Sequence, residues 1–423
     1  MYFNLKKVTV LLVIIFTAVL PFNSIMRTEI GIIIGALSTI SFFNLIKEKP
    51  LRNNFDLRYF SIFSLLFFIS LLSVIFSFND RSFAKLETQL SIFFLPLIYF
   101  SNRELINSIK ISIQKVFVIS TFVLSLVLTC SSIYNYFFTP HFWNLPEEYF
   151  FYTHLVQPVS GHPTYVALIF LIAIILLFKI QKGFTKKPET IVSWILIFWF
   201  IFMIFILNSR GVVIISLSSF LCLLIINHKH NKYVLGVIIS FLVLFSVLSV
   251  YVLSFQKVPN REYSFNLIEV FEKSTDPNIG NSNNGLTTRL AIWRQAIITG
   301  KDNFWFGVGL GNEMDSMLTT YKRNNYSYLY KNQFGIHNSF ITIFVGMGVA
   351  GLLAFLTSIV FILMRSLKRR NQYHFIFLIS FIFISMFEST LQRFSGVVIF
   401  SFFNVILFFK DRTLEDQNEI QLL

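Results

Sequence analysis

Charge is scarce in this chain. Only 13% of its 423 residues are Asp, Glu, Lys or Arg, where a soluble domain carries about 25%. That deficit excludes an ordinary soluble enzyme and a disordered chain alike. Glycine and proline number only 17 and 10, which excludes a collagen-like repeat. The two cysteines, Cys130 and Cys222, both fall inside apolar runs, which speaks against a disulfide or a thiolate metal site. There is no Walker loop and no GxGxxG fingerprint, so no nucleotide motif supplies the chemistry. Apolar character is what is abundant: 55% hydrophobic residues, 54 Phe, 16 Tyr and a mean hydropathy of +0.68. A membrane span needs about 20 such residues. The chain therefore reads as an all-α polytopic membrane protein.

Twelve spans are expected, at about 8–22, 30–46, 59–78, 88–100, 116–134, 164–178, 191–207, 212–226, 234–255, 340–364, 374–387 and 396–409. The first follows Lys6 and Lys7 without a small-residue exit site, so it reads as a retained span. The fourth is the weakest, with Pro96 inside its apolar core, and is expected to be tilted, kinked or re-entrant. The net charge of +14 raises nucleic-acid binding, but the cations lie in short clusters between spans. With the N-terminus inside, the cytoplasmic segments hold 21 of the 35 Lys and Arg, against five in the short external connections. That is the positive-inside bias, and it needs no nucleic acid. The other nine lie in segment 256–336, and long loops translocate regardless of charge. The expected organisation is a bundle over 1–255, one large extracytoplasmic loop over 256–336, further spans over 337–409 and a cytoplasmic tail over 410–423.

Two external segments stand out. Segment 135–163 has no Lys or Arg and many aromatics, which suits a loop in the membrane interface. In the long loop, the flexible run 276–285 leads to a helix that Thr287 or Thr288 could cap. Leu290, Trp293, Ala296 and Ile297 recur there at helical spacing, so one face is expected to rest on the membrane or the bundle.

Several polar residues could carry chemistry. Arg210 sits between two spans with almost no loop around it. It is either a snorkelling anchor or a guanidinium aimed at an anionic headgroup. Arg289 lies at the start of a helix, where its charge opposes the helix dipole unless an anion is near. His337-Asn338 immediately precedes the tenth span. Glu313 and Asp315 form an E-x-D pair that reads as a solvated loop before it reads as a cation site. Glu388 with Arg393 reads as a structural ion pair across a turn. His162, followed by Pro163, reads as a helix cap. The run from Gly307 through Gly309 to Gly311 superficially resembles a phosphate cradle, but it lacks the partners of one.

Together these residues resemble a known family. Asn208-Ser209-Arg210-Gly211, Arg289-x-x-x-Trp293-x-x-Ala296, Phe306-Gly307-Val308-Gly309-x-Gly311-Asn312, His337-Asn338-x-Phe340 and Gly348-x-x-Gly351-Leu352-Leu353 look like the core of the O-antigen ligase/polymerase family. His162-Pro163-Thr164-Tyr165 and Glu388-Ser389-x-Leu391-x-Arg393 also resemble members of it. Each motif alone is weak; their order and placement make the case. The chain departs from the pattern at Phe304-Trp305, where many members carry a proline. That change is expected to alter the local turn and leave the chemistry intact.

The resemblance implies a GT-C-like fold and an inverting, metal-independent glycosyl transfer without a cofactor. The active site would face the periplasm from a bacterial inner membrane. The donor implied is a glycan on undecaprenyl pyrophosphate, and the acceptor is lipid A–core, another lipid-linked glycan or a protein. Ligase is preferred over polymerase. Within that reading His337 is the catalytic residue, orienting or deprotonating the acceptor hydroxyl. Arg210 and Arg289 bind the pyrophosphate, with Arg323 a third candidate. Asn338, Trp293, Gly307 and Gly309 support the site or the acceptor. The rival class is a transporter or flippase, which would place ionisable residues mid-span around a central cavity. Here the informative polar residues cluster near span ends instead.

Overall fold

The computed structural model describes residues 2–47, 55–77, 80–138, 146–228, 267–280 and 285–409. All regular structure among them is helical. The bundle helices are α1 (Tyr2–Val19), α2 (Arg27–Lys47), α3 (Leu57–Phe63), α4 (Leu65–Phe76), α5 (Asp80–Ser101), α6 (Lys110–Phe138), α7 (Pro163–Ile180), α8 (Lys187–Ile206) and α9 (Arg210–His228). Helices α10 (Gly285–Asp302) and α11 (Glu313–Arg323) belong to the long connection, and α12 (Ser339–Lys368), α13 (Gln372–Phe387) and α14 (Phe394–Phe408) complete the bundle. Among the described residues, eight helices are long and apolar enough to cross a membrane; the bent pair α3–α4 makes a ninth, and α13 and α14 are shorter apolar helices. The expected span at 234–255, the tail 410–423 and part of the expected flexible run lie outside the described residues.

The apolar content of each sequence segment explains its depth. Every residue of α7 is buried. A helix apolar on all sides must be surrounded, and α6, α8, α9, α13 and α14 pack around it. Its N-terminal end is therefore the centre of one face of the bundle. His162 caps that end, its Nδ1 accepting from the Thr164 N–H at 3.4 Å, with Pro163 in the first turn. The cap expected there is present.

Two irregularities fall elsewhere than the sequence suggests. Segment 80–101 forms one helix with Pro96 inside it, so the fourth span is neither broken nor re-entrant. Proline removes one N–H donor, and here the neighbouring turns carry the helix through. The break is instead in the third span, where α3 and α4 meet at Ser64 with a 59° bend. A second break, which apolar periodicity does not reveal, interrupts α12 at Gly348, whose φ of +66° is open to glycine.

The long connection has a core of its own. Ile279, Ala291, Ile292, Met317, Tyr321 and Leu329 are buried together, joined by Val345 from α12. Helix α10 lies on α12, so close that a side chain at Gly300 would collide with the Phe344 ring. The helix begins at Gly285, so Thr287 and Thr288 lie within it and do not cap it. Its buried face runs through Ala291, Ile292, Gln295, Ala296 and Thr299, while Ile297 is exposed. The amphipathic face exists but is rotated from the expected one, because it packs on protein and accommodates two polar residues.

Candidate active site

The face of the bundle that carries the start of α7 also carries the starts of α9, α12 and α14 and the end of α13. His162, Arg210, His337, Glu388 and Arg393 sit at those five ends. Arg289, in the second turn of α10, reaches the same place, its guanidinium donating to the Phe387 carbonyl.

The centre is His337. Its backbone adopts φ +51°, a left-handed conformation uncommon outside glycine, asparagine, aspartate and histidine. The flanking residues hold it there. Trp293 donates from its indole to the Ile336 carbonyl at 2.9 Å. Asn338 donates to the Met386 carbonyl at 2.8 Å, and its side-chain oxygen accepts from the N–H groups of Phe340 and Ile341 at 2.9 and 3.0 Å. Asn338 is thus the N-cap of α12, and Trp293 and Asn338 grip the chain on either side of His337. Both residues hydrogen-bond within one position of His337.

His337 Nδ1 lies 3.2 Å from Glu388 Oε1. An ionised carboxylate only accepts hydrogen bonds, so Nδ1 carries the proton. In the neutral ring Nε2 then holds the basic lone pair. The Glu388 oxygen also accepts from the Ser389 N–H at 3.3 Å. Burial pushes the Glu388 carboxyl up, but the hydrogen bond from His337 and the charges of His337, His162 and Arg289 outweigh it and hold the group below its ordinary value. The Glu388–Arg393 pair expected from the sequence does not form. Residues 390–392 make a tight turn, and the Glu388 side chain faces the His337 ring. Ser339 fastens that turn, donating to the Glu388 carbonyl at 3.1 Å and accepting from Leu391 N–H at 3.2 Å.

The remaining motifs close around this pair. Thr164 and Ser209 share a hydrogen bond at 3.0 Å, tying the start of α7 to the residue before Arg210. Tyr165 donates to the Ser389 carbonyl at 3.2 Å. A Cβ at Gly211 would stand 3.9 Å from the Phe387 ring. The residue after Arg210 therefore packs on the residue whose carbonyl Arg289 holds. Burial lowers the His162 pKa, and Arg393, His337 and Arg289 lower it further against the opposing pull of Glu388. Arg393 thereby enters the site, whereas Arg323 does not: it is half-exposed in an ion pair with Asp302 at 2.8 Å. In the sequence Glu388, Arg393, His162 and Tyr165 are visible as parts of motifs, but their spacing assigns them only local roles. The missing information is that five helix ends meet.

The glycine run has a structural use. The N–H groups of Val308 and Gly309 donate to the carbonyls of Val345 and Gly346 at 2.8 and 2.9 Å, and Val349 N–H donates to Phe304 at 2.8 Å. The extended stretch thus pairs with the backbone freed at the break in α12. A Cβ at Gly307 would lie 2.5 Å from the backbone of Gly346, with φ +71° at that glycine. Gly307 and Gly309 therefore fix the long connection to the bundle and do not cradle an anion. Nearby, Glu313 is not solvated. It is buried, accepts from the Gly311 N–H at 2.9 Å, and has its pKa raised by that burial. Asp315 pairs instead with Arg81 at 2.5 Å. Helix α11 starts at Glu313 and turns the two side chains apart.

Residues 195–356 match the family model described as O-antigen ligase. No curated protein matches the chain.

Proposed function

We propose that this chain, whose residues 195–356 match the family model described as O-antigen ligase, transfers a glycan from undecaprenyl pyrophosphate to a lipid A–core acceptor at the outer face of a bacterial inner membrane. The observation that carries the reading is the His337–Glu388 pair, with Arg289 held beside it. Glu388 fixes the ring so that Nε2 points its lone pair away from the carboxylate. An acceptor hydroxyl placed at Nε2 gives up its proton to the ring as its oxygen attacks the anomeric carbon of the donor. The bond from that carbon to the pyrophosphate oxygen breaks on the opposite side, which inverts the configuration. Undecaprenyl pyrophosphate leaves with the bonding electrons. The charge that grows on it is met by Arg289, held in place by the Phe387 carbonyl, with Arg210 and Arg393 at neighbouring helix ends. Arginine suits this task because its planar fork matches phosphate oxygens and keeps its charge.

Sidedness supports the same reading. The opposite ends of the helices carry Lys47, Arg103, Lys110, Lys179, Lys187, Arg365 and Lys368, as a cytoplasmic face does. The candidate site then faces outward, where lipid-linked glycans are displayed and nucleotide sugars are absent. Among the described residues the ionisable groups lie toward helix ends and not around a mid-span cavity, which disfavours a transporter.

Deletion of the gene followed by analysis of the surface glycan tests this. Loss of long chains from lipid A, with lipid-linked polymer accumulating, is the expected result. A single capped repeat would instead assign a polymerase, and normal glycan would overturn the reading. Reporter fusions after Gln372 and near Asn283 are expected on the cytoplasmic and periplasmic sides respectively. A cytoplasmic signal near Asn283 would place the site on the wrong side of the membrane for this donor.

A further inference from the structure

A second polar feature opens on the same face. A cleft of about 580 Å³ lies between the end of α6 and the segment 146–159, lined by Ser131, Asn135, Tyr149, Thr153, His154 and Gln157. Its size is within the range of about 300–1,000 Å³ typical of small-molecule sites. The wall is built and not loose. Ser132 donates to the Tyr149 carbonyl at 2.8 Å, the Tyr136 and Phe150 rings meet at 5.7 Å, and Leu155, Val156 and Val159 are buried beneath. From that wall the chain runs directly to His162, with Gly161 N–H donating to the Val156 carbonyl at 3.3 Å.

The lining selects a class of ligand. Ser131, Thr153 and Gln157 offer neutral donors and acceptors together, as sugar hydroxyls require. Tyr149 and Pro158 add apolar surface for the C–H face of a sugar ring. No Lys or Arg occurs anywhere in 135–163, so no permanent cation from that segment holds a phosphate or a polyanion. The acidic neighbour is Glu148, 3.8 Å from His154, which repels anions further. A lipid chain would leave these polar groups without partners.

We propose that this cleft is a glycan subsite, holding uncharged sugar units while the reducing end or acceptor hydroxyl is presented at His337. The choice of ligand rests on the glycan-transfer reading. The sugar units could belong to the donor or to the acceptor, and kinetics tell the two apart.

The probes are the glycan released by mild acid from the lipid-linked pool of the source cells and the core oligosaccharide released the same way from their lipid A–core. Saturation-transfer NMR with the full chain in nanodiscs is expected to show magnetisation passing to sugar protons. Ser131→Trp, which fills the cleft, should abolish that signal. Gln157→Ala, at an exposed position that leaves the fold alone, should weaken binding about 2–10-fold, the loss of one neutral hydrogen bond. Binding of undecaprenyl pyrophosphate without glycan should be unchanged in both variants, showing that the site at His337 is intact. In transfer assays Gln157→Ala should raise KM by a similar factor with kcat unchanged. A rise for the lipid-linked donor assigns the cleft to the donor chain, and a rise for the acceptor assigns it to the acceptor. No saturation transfer to sugar in the wild type, or an undiminished signal in Ser131→Trp, overturns the proposal. If Ser131→Trp abolishes sugar binding but the wild type transfers no glycan, the subsite stands and the transferase falls. Normal transfer with sugar binding unaffected by Ser131→Trp does the reverse.

Discussion

The two faces of the bundle use the same residue types in opposite ways. At the face away from the candidate site, cations are absorbed into the packing. Arg369 lies over the rings of Tyr59, Phe408 and Phe409 at 5.2, 4.6 and 4.8 Å, and Arg103 lies over Phe409 at 4.0 Å. Lys110 donates to the Phe409 carbonyl, and Asn371 donates to the carbonyls of Leu407 and Phe408. These groups finish the last turn of α14, whose carbonyls have no partner within the helix. At the other face, Glu388 pairs with one nitrogen of a histidine whose second ring nitrogen has no hydrogen-bond partner among the described residues, and Arg289 and His162 stand close to that pair. A cation at a span end is thus an anchor or a working group according to what its neighbours leave unsatisfied. Residue type and depth alone do not distinguish them.

The largest test of that contrast is His337→Ala. Turnover with purified lipid-linked donor is expected to fall about 10²–10⁴-fold, the usual range for general-base help, with folding and donor binding retained. Asn338→Ala should be milder, because it removes a cap and a tether but no titrating group. Near-normal turnover in His337→Ala would make the working face no different from the anchoring one.

Arg289→Ala comes next. Loss of one fixed charge stabiliser is expected to lower kcat about 10²–10³-fold, and Arg289→Lys should restore only part, since lysine lacks the planar fork. Normal turnover and donor affinity in Arg289→Ala would reassign this residue to the anchors.

Arg369→Ala sharpens the comparison from the other side. Each of the three ring contacts at such a site contributes about 0.5–1 kcal/mol, so stability in detergent is expected to drop by about 1.5–3 kcal/mol in total. Turnover per folded molecule should not change. A selective loss of turnover would show that the packed face also works.

The smallest effect concerns acid. Burial lowers the His162 pKa from its ordinary 6.5, so the fold favours the neutral ring. Its contribution to stability is complete above that value and is lost as pH falls through it toward the lowered folded value. Glu388 is also lowered, but from 4.5, so its contribution is lost only in more acidic solution. Thermal unfolding between about pH 7 and 5 should therefore be less pH-dependent in His162→Gln than in the wild type. Parallel pH slopes would mean that His162 is not buried among these charges.

Much of this protein is legible in the sequence. Among the described residues the apolar runs coincide with eight helices long and apolar enough to span, a bent ninth and two shorter ones, although α5 begins eight residues before the run expected there, because burial in lipid demands length and hydrophobicity and little else. The motifs containing His162, Arg210, Arg289, His337 and Glu388 are also visible, as local strings. What linear spacing cannot supply is partnership. Glu388 is 51 positions from His337 and five from Arg393, and the partner about a turn away is the natural choice from sequence distance. Only the packing of α12 against α13, with a tight turn after Phe387, aims the carboxylate at the imidazole. The same limit explains the glycine run, which reads at most as a loop. Its positive φ angles and backbone pairing answer a break in α12 that local propensity does not announce. Glu313 and Asp315 part for a similar reason, one buried under Gly346 and the other drawn to Arg81. Composition, charge bias and motif order come from single positions and their neighbours, so the sequence by itself determined them. Which helix ends meet depends on contacts across hundreds of residues, and only the tertiary structure decided that.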